Sequence, residues 1–68
     1  MVEVYKTNVK KKKSSERILQ RIIKKYPDLR VSFDLDDCDR ILRCEGPGFD
    51  PARVRRIVRR SGYRCKIL

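Results

Sequence analysis

Residues 2–9, Val-Glu-Val-Tyr-Lys-Thr-Asn-Val, mix β-branched and aromatic side chains and read as a strand. Two sets compete for its inner face, Val2 with Val4 or Tyr5 with Thr7 and Val9. Lys10 to Lys13 form a like-charge run too self-repelling for the middle of a sheet, so a loop is expected there. From Glu16 to Tyr26 the rhythm changes. Ile18, Leu19, Ile22, Ile23 and Tyr26 recur at helical spacing and gather on one side of an α-helix, while Arg17, Gln20, Arg21, Lys24 and Lys25 point away from that stripe. Ser14 or Ser15 is the expected cap, and Glu16 the expected first-turn carboxylate facing the positive end of the backbone dipoles. Pro27 ends the helix and Asp28 turns the chain.

Val31, Phe33 and Leu35 then alternate with Arg30, Ser32, Asp34 and Asp36, the period of a strand with one buried face. A polar turn at Asp36-Asp37-Cys38-Asp39 returns the chain as a second strand, Arg40 to Glu45, with Leu42 and Cys44 on one side. Gly46, Pro47 and Gly48 stop this hairpin. Asp50 is a helix cap and Pro51 suits the first helical position, where its missing N–H has no partner to lose. Val54, Ile57 and Val58 form the buried stripe, with Arg53, Arg55, Arg56, Arg59 and Arg60 around the other sides. Gly62 closes the helix where a left-handed backbone is needed, and Tyr63, Cys65 and Ile67 alternate with Arg64, Lys66 and Leu68 as a last strand.

The order βαββαβ predicts an α+β, ferredoxin-like sandwich, with two helices on one face of a four-stranded antiparallel sheet. Right-handed crossovers put the first and third strands at its centre. At 68 residues there is room for one domain, taken as 1–68, and a chain this short buries only about 60% of its unfolded surface. A separate active site would compete for the same few apolar residues.

Charge changes the picture next. The chain has 19 Lys plus Arg against 9 Asp plus Glu, no histidine and a formal charge of +10, which favours acidic partners. Without histidine, without a recognisable carboxylate pair and with too few glycines for a phosphate-cradling loop, the expectation is a non-enzyme with no cofactor. Three cysteines suit reduced thiols better than a disulfide framework. With no apolar run near membrane length and a charged strand at the N-terminus, a cytoplasmic location is expected.

Lys6-Thr7-Asn8-Val9, Pro27-Asp28-Leu29, Val31-Ser32-Phe33-Asp34, Phe49-Asp50-Pro51-Ala52 with Ile57, and Ser61-Gly62-Tyr63 together resemble the heavy-metal-associated domain family, which includes small copper chaperones and the N-terminal modules of metal-transporting ATPases. The resemblance covers nearly the whole chain. It implies a Cys-x-x-Cys pair in the first loop, binding monovalent copper or zinc, but the two positions hold Lys11 and Ser14. An ammonium repels a cation, and a neutral hydroxyl is a poor ligand for a soft metal. Lys10, Lys12 and Lys13 oppose cation binding further. Tyr63 falls where some bacterial members place an aromatic beside the metal loop, and is read here as a core or rim residue.

The remaining thiols do not rebuild the pair. Cys44 and Cys65 are expected to face the core with a strand between them, about 10 Å apart, as small buried hydrophobes. Cys38 is the one candidate exposed thiol, its thiolate form disfavoured by Asp36, Asp37 and Asp39. The cluster of Asp34, Asp36, Asp37 and Asp39 lacks the loop, glycine and closing glutamate of an EF-hand, so a solvated acidic hairpin tip is expected, with Asp34 pointing away from the turn. The leading functional expectation is a heavy-metal-associated-like module without its metal site that binds an acidic protein. Its candidate surface is Lys10, Lys11, Lys12, Lys13, Arg17, Arg21, Arg56 and Arg60. One alternative is an electrostatic nucleic-acid binder. It would not stack bases, because the open sheet face is expected to carry Ser32, Asp34, Ile41, Arg43, Arg64 and Lys66, with no aromatic. A second is residual metal binding through Cys38 or a metal-transport accessory role.

Overall fold

The elements follow the order β1 (Val2–Thr7), α1 (Lys12–Lys25), β2 (Arg30–Asp34), β3 (Ile41–Glu45), α2 (Pro51–Arg60) and β4 (Cys65–Ile67), in a computed structural model that describes residues 1–68. The strands form one antiparallel sheet in the order β2-β3-β1-β4, the ferredoxin-like arrangement, with the first and third strands central.

Register decides which of the two β1 faces is inside. Tyr5 lies opposite Leu42 on one side and Ile67 on the other, and Leu42 lies opposite Phe33. A single apolar row, Phe33-Leu42-Tyr5-Ile67, therefore crosses all four strands beneath the helices. Tyr5, Thr7 and Val9 are buried, whereas Val2 is exposed on the opposite face. The Tyr5 ring fills the centre of the sandwich and its hydroxyl donates to the Pro51 carbonyl at 3.0 Å, tying β1 to the start of α2. Burial pushes that phenol above its ordinary range. Ile18 and Ile22 of α1 and Val54 and Val58 of α2 close the core from above.

The two helices begin differently. Asp50 caps α2 as expected, its carboxylate accepting from the Ala52 N–H at 3.0 Å with Pro51 just inside. Helix α1 starts earlier than its serines suggest. Lys11 is the cap and offers no side-chain bond, and the first turn holds no acidic residue, so Glu16 lies beyond it. Ser15 instead sits buried inside the helix, its hydroxyl donating to the Lys12 carbonyl at 2.6 Å, a local bond that satisfies a buried hydroxyl. The lysine run tolerates this because neighbouring helical side chains do not face each other. Lys12 and Lys13 radiate into solvent, while Val9 anchors the preceding backbone in the core.

Two glycines have defined tasks. Gly62 adopts φ +94° after α2, the left-handed conformation expected of it. A Cβ at Gly46 would come within 2.8 Å of the Leu29 side chain, so the end of β3 can lie against the α1–β2 turn only without one. No helix is long and apolar enough to cross a membrane.

Candidate functional site

Three connections meet at one end of the molecule. The Thr7 N–H donates to the Asp39 carbonyl at 3.1 Å, and its hydroxyl donates to the Arg40 carbonyl at 2.6 Å. That hydroxyl also accepts from the Val9 N–H at 3.2 Å. The β2–β3 hairpin is thus latched to the end of β1, beside the lysine-bearing β1–α1 connection. From the other side, the Asn8 side-chain carbonyl accepts from the Arg64 N–H at 2.8 Å, drawing in the α2–β4 turn. The sequence places Thr7 and Asn8 at the end of the first strand but does not reveal these bonds, since their partners lie far away along the chain.

The hairpin tip is acidic and solvent-exposed as expected, and its turn is also held by internal hydrogen bonds. Arg40 takes a left-handed backbone, φ 46°, and its guanidinium donates to the Leu35 carbonyl across the turn, so it closes the loop and lies outside β3. Asp34 does not point away. Its carboxylate folds back to accept from the Asp36 N–H at 3.2 Å, and Asp37 accepts from the Asp39 N–H at 2.8 Å, local bonds that aspartate makes readily in turns. Lys6 reaches Asp39 at 3.3 Å. The ligand atoms of Asp37, Cys38 and Asp39 lie within 4.8 Å of one another, an incomplete acidic and thiol cluster on this turn.

The thiols are kept apart. Cys38 is exposed, while Cys44 and Cys65 are buried. Cys44 pairs opposite Glu3 and Cys65 opposite Thr7, on opposite sides of β1 and four residues apart along it. Burial pushes Cys44 up to about 12 and Cys65 up to about 11. A disulfide-exchange reagent such as Ellman's reagent at about pH 8 is therefore expected to consume one thiol per chain rapidly, with the other two following only on unfolding, because thiolate at an accessible sulfur is the reacting form. Replacing Cys38 with serine should abolish the rapid phase, and its survival would disprove the assignment.

Lys11 and Ser14 stand at the mouth of α1, at the cap and in the first turn, with Lys10, Lys12 and Lys13 exposed around them. Tyr63 lies in the turn before β4 rather than on it, half-buried against the core, its N–H directed to the Val58 carbonyl at 3.4 Å. It is the rim aromatic the sequence suggested. Arg17 is exposed on α1. Arg21 does not simply point outward: one guanidinium nitrogen donates to the Ser61 hydroxyl at 2.7 Å, and that hydroxyl donates to the Ile57 carbonyl at 2.9 Å, bridging the two helices. Arg56 and Arg60 are exposed on α2 and, with Lys25, Arg53 and Ile57, line a shallow groove of about 210 Å³. The spacing of Arg53, Arg56 and Arg60 by three and four residues was the available signal for that alignment.

The two ion pairs of the molecule, Lys6 with Asp39 and Arg43 with Glu45, both lie outside the helices. The cations of α1 and α2 therefore have no carboxylate partner. The open sheet face carries Ser32, Asp34, Ile41, Arg43 and Lys66 together with Val2 and Val4, and no aromatic. Arg64 falls outside β4.

Comparison with family models, with curated proteins and with solved structures returns no match. Fold and side chains define a small ferredoxin-like βαββαβ domain without a Cys-x-x-Cys pair.

Proposed function

We propose that this chain is a non-enzymatic docking module, similar to a heavy-metal-associated domain without its thiolate pair, that binds an acidic protein surface through the lysine-bearing entrance of α1. The observation that carries the reading is the uncompensated charge of the helical layer. Lys10 to Lys13 are exposed, no ion pair occupies them, and the latched hairpin and Asn8 hold the adjoining backbone in place. A preorganised cationic surface of this kind speeds encounter with an acidic partner and excludes basic ones. At the position where the family presents thiolates to a soft cation, Lys11 presents an ammonium to anions.

Reversal of Lys11, Lys12 and Lys13 to glutamate tests it. Exposed ion pairs contribute roughly 0.2–1 kcal/mol each, so the triple variant is expected to lose about tenfold or more in affinity for a partner recovered by pull-down with the wild type, with an unchanged circular dichroism spectrum. The same partners retained at the same strength would refute the proposal. So would one monovalent copper ion held tightly at this loop under reducing conditions, seen by mass spectrometry of the intact protein.

A further inference from the structure

The groove between α1 and α2 is lined by four cations, Lys25 from one helix and Arg53, Arg56 and Arg60 from the other, with half-buried Ile57 as its apolar member. No carboxylate enters it, and neither ion pair of the molecule involves its residues. Arg21, four residues before Lys25 on α1, bridges to Ser61 through one of its nitrogens, connecting the helices beyond the groove. We propose that this groove is a binding site for a ligand carrying two linked phosphates, a diphosphate group.

Three features select that chemistry. Guanidinium forks match phosphate oxygens in pairs, and three of the four cations are arginines. Arg53, Arg56 and Arg60 share one helical face and span about 10 Å at about 1.5 Å per residue, a run of charge longer than a single phosphate presents and suited to two in succession. The volume, about 210 Å³, holds a diphosphate but is small for a folded peptide segment. Like charges three and four residues apart repel, and a bound anion relieves that repulsion. Ile57 gives one wall an apolar surface beside these cations.

The test uses inorganic pyrophosphate, orthophosphate and a short single-stranded oligonucleotide as separate probes at about 150 mM salt, where diffuse attraction is damped. Pyrophosphate is expected to shift the amide resonances of Arg56, Ile57 and Arg60, to bind at least about tenfold more tightly than orthophosphate, a difference of about 1.4 kcal/mol, and to raise the melting temperature. Arg56→Glu should abolish these effects while the unliganded variant melts no lower than the wild type, since the new carboxylate lies three or four residues from Arg53, Arg59 and Arg60. The Lys11, Lys12 and Lys13 reversal leaves the groove intact, so pyrophosphate binding should survive it even where partner docking is lost, and each proposal can fail alone. Shifts spread equally over the lysine run with no preference for pyrophosphate would overturn the site. Tighter binding of the oligonucleotide, with groove and lysine run shifting together, would overturn it in favour of a nucleic-acid surface.

Discussion

Truncating Leu42 to alanine should cost about 3 kcal/mol, within the usual span for emptying a leucine site in a packed core. Leu42 is fully buried on a central strand, opposite Tyr5 and Phe33 in the row that crosses the sheet. Neither neighbour can collapse into the space: the Tyr5 hydroxyl is held by Pro51, and Phe33 lies on an edge strand with its own pairing to keep. A domain of this length has only roughly 3–10 kcal/mol to lose, so the melting temperature should fall by roughly 15 °C and part of the population should unfold at ordinary temperatures. Ile23→Ala is the control. Ile23 is the most solvent-exposed residue of the α1 apolar stripe, at 37%, and alanine favours the helix, so its change should stay within about 1 kcal/mol. Equal losses in urea melts of the two variants would show that the core is not centred on this row.

The second large effect is alkaline. Burial raises Cys44 from its ordinary value near 9.0 to about 12 and Cys65 to about 11. The unfolded chain releases these protons first, so above pH 9 it is favoured by mass action. Stability from the buried thiols is complete below pH 9 and is lost progressively as pH rises toward 12. For Cys44 alone the loss is on the order of 4 kcal/mol, from about 1.4 kcal/mol per unit. Tyr5 acts in the same direction, since its phenol is also raised by burial. Thermal melts between pH 8 and 12 should show a flat region followed by a steep fall, and Cys44→Ala should fall less steeply. Comparing the two proteins cancels lysine deprotonation, which occurs in both. Parallel curves would mean that Cys44 meets more water than its packing implies.

Much of the fold was legible because its punctuation is local. Pro27, Asp50 with Pro51, and Gly62 each act within a few residues of their own position, and each ends or begins an element as expected. The inner face of β1 was not legible, since Val2 with Val4 and Tyr5 with Val9 are equally apolar sets. The choice falls to cross-strand partners, Leu42 and Ile67. The start of α1 is not legible either, for a related reason. Serine is a good cap in isolation, but Ser15 is buried inside the helix and Lys11 holds the cap position, close behind the buried Val9. The site divides in the same way. Exposed Lys10 to Lys13 and the missing thiolate pair can be read from residue identity, whereas the Thr7 latch, the Asn8 contact, the Arg21 bridge and the convergence of Lys25 on the arginines of α2 are products of tertiary packing.

The Leu68 N–H donates to the Val4 carbonyl, and the Met1 amino group to the carbonyl of Gly46. These bonds tie the start of β1 to the end of β3 and to the residue after β4, away from the latched hairpin. Strand β1 is held at both ends, by the Thr7 latch to the hairpin and by the contacts to Gly46 and Leu68. The connection that follows leaves from a strand that cannot slide in register, which keeps its lysines turned outward.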